Sequence, residues 1–262
     1  MIIDAHAHLG PAFQTRPPLL PGVTGDDIVR ILDAAKIDKA CVFAPAWEGP
    51  EFVDPGYEEA NRAVYLAVRK HPDRLIGYCR VDPNQMSQAY TEMVRCHDEY
   101  GFQGLKLHPL WEHFLPSNAK IVPPILRRCQ NYGWPIFWHA GYYPTCEPAL
   151  FFDMAKEFPR VNHILAHLAY AHTLDAIILS QQCANVFLET SGNSTAQAIG
   201  ATLRAVGPEK FIFGSDLPFT QPEDVMMKIR LQPGLLAGEL DLVMGGNMAR
   251  LLGLSSAAGG KR

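Results

Sequence analysis

The chain has 262 residues, of which 48% are hydrophobic and 19% are charged. This composition excludes a disordered chain or a coiled coil and provides apolar material for one sizeable core. The formal net charge of −4 argues against nucleic acid as the main partner, because a phosphate backbone attracts basic surfaces. No apolar run approaches the length of about 20 residues that crosses a bilayer, so we expect no membrane partner.

The N-terminus and the cysteines predict a cytoplasmic location. Residues 1–6 include no basic segment, and no apolar stretch follows them, so we expect no signal peptide. The six cysteines are scattered without a Cys-x-x-Cys pair. In a chain without export signals, such cysteines are expected to be free thiols.

Short apolar segments alternate with segments of helical periodicity along the chain. The predicted strands are residues 1–5, 39–44, 75–81, 103–108, 135–139, 161–167, 185–189 and 210–215. The predicted helices are residues 26–35, 57–70, 87–100, 123–132, 148–157, 173–182, 194–206 and 222–230. We expect Gly101, Gly133 and Gly207 to end helices, and Asp26 and Ser194 to cap helix starts.

Eight such units of about 33 residues predict a single α/β domain, a (β/α)8 TIM barrel over residues 1–254. The strands are too far apart in sequence for hairpins, which favours parallel pairing. A doubly wound open sheet is the alternative fold, but its glycine-rich phosphate-binding turn is absent from the sequence. Residues 234–254 are expected to form an extra helix interrupted at residues 245–246, and residues 255–262 a flexible tail.

The first predicted strand leads directly into His6 and His8. Because side chains alternate along a strand, the two imidazoles share one face, with Asp4 one layer deeper on the same face. At the carboxyl end of a barrel strand this face is the mouth, where the active sites of this fold lie. The pair alone fits either a metal site or two polar surface residues.

Four further polar side chains follow predicted strands. His108, His139 and His167 end the fourth, fifth and sixth strands, and Asp216 follows the eighth. On one barrel these side chains surround a common mouth. Neutral imidazoles and a carboxylate suit a divalent ion, with one position left for water or substrate. The sequence therefore predicts one divalent metal site, with Zn²⁺ as the expected ion and Mn²⁺ as the alternative.

The motifs around these residues resemble the amidohydrolase superfamily. The closest resemblance is to the amidohydrolase-2 group, which includes aminocarboxymuconate-semialdehyde decarboxylase, and it covers nearly the whole chain. It rests on His6 and His8, the two later histidines and the Gly-Ser-Asp-x-Pro sequence at residues 214–218. The resemblance implies that His6, His8, His139 and Asp216 bind one metal. It also implies that His167 acts beside the metal-bound water or the substrate as an acid/base or electrostatic partner.

The chemistry of these residue types agrees with that implication. A bound dication lowers the pKa of water towards about 7. Asp216 can accept a proton from that water and pass it to a leaving group, and His167 can orient the water or stabilise an oxyanion. Asp4 either fixes the tautomer of a ligand imidazole or belongs to an interior polar layer.

Lys106 and His108 share one face of the fourth predicted strand. In binuclear members of the superfamily, a carboxylated lysine on this strand bridges two metals. The Gly-Leu-Lys-Leu-His-Pro sequence at residues 104–109 instead resembles the single-metal group, which implies one metal. We expect His108 to face the substrate, and Lys106 either to contact the substrate or to form an ion pair inside the barrel.

Arg80, Trp111 and Tyr142 complete the predicted substrate site. Arg80 ends the third predicted strand and is expected to bind a substrate carboxylate, with a salt bridge at the barrel rim as the alternative. Trp111 and Tyr142 lie in loops at the same mouth, as do Trp47 and Tyr143. Aromatic side chains there suit an unsaturated or ring-bearing substrate, and lid packing is the alternative.

We expect a metal-dependent hydrolase of a small amide, lactone or ester-like substrate. The alternative keeps the site and changes the reaction to non-oxidative decarboxylation of an unsaturated or aromatic carboxylic acid. Decarboxylases of the group are expected to carry an insertion after the first strand, where this chain has only the proline-rich residues 10–25, and this favours hydrolysis. The expected partners are a small-molecule substrate and a second copy of the chain in a homodimer.

Two further interpretations fit the sequence less well. A nuclease of the TatD type would carry a metal-binding glutamate on the fourth strand and Glu-Thr-Asp at the eighth, where this chain has Lys106 and Gly-Ser-Asp. A purely structural metal site would be closed by four protein ligands, often cysteines. The additional His167 indicates an open site.

Overall fold

The computed structural model describes residues 1–10, 23–45, 56–192 and 195–254. Trp47, the expected cap Ser194 and the tail at residues 255–262 lie outside the described residues, as does most of the proline-rich segment. No described helix is both long enough and apolar enough to cross a membrane. The six cysteines are buried free thiols, as expected.

Parallel strands form the centre of the molecule. Strands β1 to β9 are Ile3–His8, Lys39–Phe43, Leu75–Gly77, Cys79–Arg80, Leu105–Leu107, Ile136–Trp138, His163–Leu165, Val186–Glu189 and Phe211–Ile212. They pair in the orders β1-β2-β3 and β4-β5-β6-β7-β8-β9. The third predicted strand is divided at Tyr78. The N–H of Tyr78 donates to the carbonyl of Val42 in β2, whereas the N–H of Cys79 donates to the carbonyl of Gly104, next to β5. β3 and β4 therefore occupy one position of the barrel and join the two sheets.

Hydrogen bonds connect the last strand segment back to the first strand. The N–H of Ala5 donates to the carbonyl of Phe213 at 3.0 Å, and the N–H of His8 donates to that of Leu217 at 2.7 Å. The fold is therefore the predicted (β/α)8 barrel. The interior is filled by inward-facing apolar residues such as Phe43 and Phe137, and a second apolar layer lies between strands and helices.

The helices surround the strands. Helices α1 to α10 are Gly25–Ala35, Glu58–Lys70, Met86–Asp98, Val122–Tyr132, Phe152–Glu157, Thr173–Gln182, Ala196–Val206, Pro222–Arg230, Ala237–Asp241 and Asn247–Leu251. The expected cap at Asp26 is wrong, because Thr24 caps α1: its hydroxyl accepts from the N–H of Asp27, whose carboxylate accepts in return from the N–H of Thr24. Gly133 ends α4 in a left-handed conformation, as expected.

Two predicted helices are irregular. The helix expected at residues 148–157 begins as the 3₁₀ turn Pro148–Phe151 and becomes α-helical only at Phe152–Glu157. The expected terminal helix is divided into α9, the π-helical turn Leu242–Gly246 and α10. The interruption at Gly245 has a packing reason, since a Cβ there would lie 2.3 Å from the carbonyl oxygen of Met1.

Candidate metal centre

Three of the predicted ligands meet at the carboxyl end of the barrel. The Nε2 atoms of His6 and His8 are 3.2 Å apart, and they lie 3.1 and 3.0 Å from Oδ1 of Asp216. Ligand atoms at about 2.0–2.1 Å from a tetrahedral Zn²⁺ are themselves about 3.3 Å apart. The triangle of donor atoms therefore has the dimensions of one face of a metal coordination sphere.

Backbone hydrogen bonds fix Asp216 against β1. The N–H of Asp216 donates to the carbonyl of His6 at 2.8 Å, and the residue has a left-handed φ of 66°. The preceding residue, Ser215, donates its N–H and its hydroxyl to the carboxylate of Asp4 at 2.9 and 2.5 Å. Asp4 therefore holds the loop that presents Asp216. It belongs to the interior polar layer, the second of the two roles expected for it.

Burial keeps the imidazoles of this triangle neutral. It lowers the pKa of His6 and of His8 well below the ordinary histidine value, and the positive charge of Lys106 lowers both further. Burial also raises the pKa of Asp216 well above the ordinary aspartate value. Neutral imidazole is the form that binds a metal ion, and a cation between these groups would offset the unfavourable burial of the Asp216 carboxylate.

Two residues that the sequence motifs do not reveal, Glu189 and Ser191, organise the site. Glu189 ends β8 and is fully buried, and its carboxylate accepts the backbone N–H groups of His167 at 3.2 Å and Ser191 at 2.5 Å. The Ser191 hydroxyl donates to Glu189 at 2.8 Å and lies 3.1 Å from Nδ1 of His6 and 2.9 Å from Nδ1 of His167. The strand-end position of Glu189, shared with the histidines, is the signal that could have identified it.

The single hydroxyl proton of Ser191 determines the tautomers of its neighbours. Because that proton goes to Glu189, Nδ1 of His167 donates to the Ser191 oxygen, and Nδ1 of His6 donates to that oxygen or to Oε2 of Glu189, 3.3 Å away. Each of these histidines then carries its lone pair on Nε2. For His6 this is the nitrogen in the donor triangle, so the Glu189–Ser191 pair prepares His6 to act as a ligand. Burial raises the pKa of Glu189 to about 7.

His139 lies beside the triangle and is not part of it. Its Nδ1 is 3.1 Å from Nε2 of His167, and its ring stacks on His108 with centroids 3.8 Å apart. Since Nε2 of His167 carries a lone pair, Nδ1 of His139 must donate to it. The lone pair of His139 is then on Nε2, a buried atom without a hydrogen-bond partner in the described part of the chain. Such a nitrogen has the chemistry of a metal ligand. Among the described residues, however, the groups that could hold an ion place His139 with His108 and Cys146 and not with the triangle.

Eight of the ten side chains assigned to the site from the sequence line one cavity of about 260 Å³. They are His6, His8, Lys106, His108, Trp111, His139, His167 and Asp216. Tyr143, Tyr170 and Phe219 add aromatic surface to the same cavity. The barrel thus brings residues from five strand ends to one cavity, as the sequence predicts.

The structure does not bring Arg80 to the cavity. Its guanidinium is fully buried, donating to Oε1 of Glu112 at 3.0 Å from Nε and 2.6 Å from Nη2, and to the carbonyl of Ala44. Glu112 also accepts the backbone N–H of His108. The expectation that Arg80 binds a substrate carboxylate is therefore corrected. It forms the alternative salt bridge and fixes the loop that carries His108 and Trp111.

Tyr142 lies outside the cavity. Its side chain is 67% exposed, and its ring contacts Tyr143 and Tyr170 with centroids 4.8 and 5.8 Å away. The next residue, Tyr143, lines the cavity instead. The expectation that Tyr142 contacts the substrate is therefore corrected, and Tyr143 takes that place. The backbone of Tyr142 is left-handed, with a φ of 70°, and this turns its side chain to the rim.

Lys106 is buried among aromatic rings and forms no ion pair with a carboxylate in the described part of the chain. Its Nζ lies 5.1 and 4.7 Å from the ring centroids of Phe43 and Phe137. Among the described residues no carboxylate forms an ion pair with it, so the interior ion pair considered from the sequence is not present. Burial lowers the pKa of Lys106 to about 7, with the nearby Arg80 contributing. A lysine held in this way offers its amine to the cavity.

Comparison with known proteins gives one family. The model of the amidohydrolase family, in its second group, matches residues 3–254. Among curated protein sequences none matches this chain.

Solved structures share the fold at low sequence identity. A dihydroxybenzoic acid decarboxylase from a Polaromonas species, with bound manganese and the inhibitor 2-nitroresorcinol, is 16% identical with a TM-score of 0.74, and 98% of each chain is covered. A probable 2-pyrone-4,6-dicarboxylic acid hydrolase from Acinetobacter baumannii, with bound citric acid, is 18% identical with a TM-score of 0.65 over 96% of this chain and 99% of that one. A 4-oxalomesaconate hydratase from Rhodopseudomonas palustris is 17% identical with a TM-score of 0.71 over 97% and 96%.

Replacing Lys106 by methionine should change how stability depends on pH. In the metal-free protein the pKa of Lys106 is about 10.4 in the unfolded chain and about 7 in the folded chain. Between these values the unfolded state binds more protons, so the free energy of unfolding of the wild type should rise with pH relative to Lys106→Met, by up to about 1.4 kcal/mol per pH unit. Urea unfolding from pH 7 to 9.5 measures this difference.

The matched control is Lys120→Met, which removes an exposed lysine and should give a curve parallel to that of the wild type. Parallel curves for Lys106→Met and the wild type would contradict the assigned burial of an unpaired amine.

Replacing Ser191 by alanine should weaken metal binding with little loss of fold. Without the hydroxyl, Nδ1 of His6 keeps only the Glu189 carboxylate, at 3.3 Å, as a partner. The ligand tautomer is then less strongly favoured, which should lower the affinity for Zn²⁺ or Mn²⁺ by about tenfold. Competition with a chromophoric chelator measures the affinity. Ser87→Ala, at an exposed position on α3, is the control. An affinity within twofold of the wild type would show that Ser191 does not set the tautomer.

Proposed function

Because the chain belongs to the amidohydrolase family, we propose that it is a metal-dependent hydrolase of a small amide, lactone or ester-like substrate. The observation that supports this most directly is the triangle formed by His6, His8 and Asp216, with His167 beside it in one cavity. A hydrolase needs an activated water and a group that carries the proton, and the proposed site supplies residues for both tasks.

The proposed ligands of one Zn²⁺ or Mn²⁺ are His6, His8, His139 and Asp216. The donor triangle supports His6, His8 and Asp216. For His139 the proposal rests on the resemblance of its motif and on the lone pair at Nε2, since the residue lies outside the triangle in this arrangement. The manganese bound in the Polaromonas structure supports a divalent ion. When bound, the cation supplies Lewis acidity and lowers the pKa of water.

The remaining chemistry belongs to residues of the chain. Asp216 accepts the proton of the attacking water and transfers it to the leaving group. The Nε2 lone pair of His167 accepts the N–H of His139, so His167 orients that imidazole beside the triangle and does not donate to an oxyanion. The amine of Lys106 forms no ion pair with the described residues, although the carboxylates of Asp216 and Glu189 attract it. It is therefore placed to stabilise negative charge on the substrate.

The binding surface favours a flat substrate. Trp111, Tyr143 and Phe219 line the cavity, and their rings offer apolar faces to an unsaturated or cyclic compound. His108 contacts Trp111 edge to face, with centroids 5.2 Å apart. The Arg80–Glu112 pair fixes this part of the wall through the backbone of His108.

A second candidate function is non-oxidative decarboxylation of an unsaturated or aromatic carboxylic acid. The unpaired amine of Lys106 favours it, since an amine in an apolar setting suits a substrate carboxylate, and the Polaromonas relative is such a decarboxylase. In this reaction the bond between the ring carbon and the carboxylate breaks, its electron pair stays on the carbon, and Asp216 delivers a proton there as CO₂ leaves.

A panel of lactones and hydroxybenzoates in ¹⁸O-labelled water tests the two reactions. The hydrolase should open at least one lactone with one ¹⁸O atom in the new carboxylate, as detected by mass spectrometry, and should release no CO₂ from the hydroxybenzoates. Release of CO₂ without incorporation of solvent oxygen would overturn the hydrolase and establish the decarboxylase. Protein treated with a chelator is the control and should be inactive in either case.

Replacing Asp216 and replacing His167 should each lower turnover. Asp216→Asn should lower kcat by about 10²–10⁴-fold while the circular dichroism spectrum stays that of the wild type. His167→Ala should lose rate by a similar factor and keep its metal, as measured by elemental analysis. Turnover of Asp216→Asn within tenfold of the wild type would show that another group carries the proton. Loss of metal from His167→Ala would make His167 a ligand.

A further inference from the structure

An unusual backbone segment follows β7 at the wall of the cavity. His167, Leu168, Ala169 and Tyr170 all have left-handed φ values, of 62°, 49°, 55° and 47°. A run of four such residues without glycine is strongly disfavoured for L-amino acids, since Cβ approaches the next carbonyl oxygen. Strained backbone of this kind persists only where the surrounding structure imposes it, and such strain clusters at functional sites.

The core and one glycine hold this left-handed turn. Leu168 and Ala169 are buried in the apolar layer around the strands. Against them lies Gly141, where an added Cβ would be 2.0 Å from the carbonyl oxygen and 2.3 Å from the carbonyl carbon of Ala169. The Thr173 hydroxyl donates to the carbonyl of Tyr170 at 2.7 Å and closes the segment. Backbone therefore packs directly on backbone, and only glycine at position 141 permits it.

The turn presents two rings to the cavity as a pair. The rings of His167 and Tyr170 stack with centroids 4.6 Å apart and an interplanar angle of 27°, and both residues line the cavity. Gly192 packs against the pair, since a Cβ there would lie 3.0 Å from the Tyr170 hydroxyl oxygen and 3.1 Å from Nδ1 of His167. The two apolar residues between them point into the core, so the distorted backbone has the effect of directing these two rings to the site.

The Tyr170 hydroxyl remains available to a ligand. No side chain or backbone group within the described ranges forms a hydrogen bond with it. Burial and the nearby carboxylates of Asp216 and Glu189 raise its pKa above the ordinary tyrosine value, so the hydroxyl is protonated at neutral pH and can donate. Packing alone would require only a phenylalanine at this position.

We propose that Tyr170 is a specificity-determining residue that binds the substrate: its ring, stacked on His167, supports a planar unsaturated substrate, and its hydroxyl donates a hydrogen bond to a substrate oxygen. Gly141 is the positioning residue that holds the left-handed turn. This inference rests on the proposed function and adds to it the residue that selects planar, oxygen-bearing substrates.

The test measures, by isothermal titration calorimetry, the binding of 2-nitroresorcinol and 2,6-dihydroxybenzoate to the Mn²⁺-loaded protein. Both probes are planar and carry oxygens beside the ring. Tyr170→Phe should weaken at least one of them by about three- to tenfold, the loss expected for one neutral hydrogen bond. Tyr170→Ala should weaken both by more than tenfold because the stacked surface is lost as well. The Mn²⁺ content of both variants should equal that of the wild type.

Two further variants make the result specific. Tyr100→Phe removes the hydroxyl of a tyrosine that stacks on Tyr65 away from the cavity, and it should bind the probes as the wild type does. Gly141→Ala should weaken the probes at least as much as Tyr170→Ala if it folds, because the turn moves. Tyr170→Phe does not depend on that variant and tests the hydroxyl directly.

The outcomes separate this inference from the proposed function. Unchanged binding by both Tyr170 variants would overturn the inference, and so would a wild-type protein that holds Mn²⁺ and binds neither probe. In both cases the proposed metal-dependent function would stand. A wild-type protein that takes up no divalent metal would refute the proposed function itself.

Discussion

The arrangement of the site depends on the buried carboxylate of Glu189. It accepts two backbone N–H groups and the Ser191 hydroxyl, so it fixes both the loop after β8 and the direction of the hydroxyl proton. That direction decides which nitrogen of His6 and which nitrogen of His167 carries a lone pair, and through His167 it decides the same for His139. One interaction outside the cavity lining therefore sets the donor properties of three imidazoles inside it.

Other buried polar groups keep the loops of the mouth in place and have no direct part in the chemistry. Asp4 ties Ser215, and with it Asp216, to the first strand. Glu112 binds Arg80 and the backbone of His108. A loop at a barrel mouth has little apolar surface of its own to bury, so strong charge-assisted hydrogen bonds replace packing there. Buried carboxylates outside the cavity thus hold the loops that form its walls.

The sequence was sufficient to predict the fold and most of the cavity, because both depend on local patterns. Alternation along β1 places His6 and His8 on one face, and residues that follow parallel strands must meet at the same end of a barrel. The partner of Arg80 depends on long-range information, because Glu112 is 32 residues away in the sequence. The orientation of Tyr142 depends on a left-handed backbone angle that its residue type does not indicate. The left-handed turn at residues 167–170 could not be predicted at all, since its residues individually disfavour that conformation and tertiary packing imposes it.

The cavity explains why one set of residues is compatible with two reactions. Hydrolysis and decarboxylation both need a cation that polarises an oxygen, an acid that returns a proton and a surface that orients a flat substrate. They differ in where the substrate carboxylate or carbonyl lies relative to Asp216. If Lys106 attracts a carboxylate, the ring carbon beside it is brought towards the proton carrier. If the lactone carbonyl occupies the open position instead, water is brought there. We therefore infer that, in the proposed function, the position of the substrate relative to the Lys106 amine and the Tyr170–His167 pair selects between the two reactions.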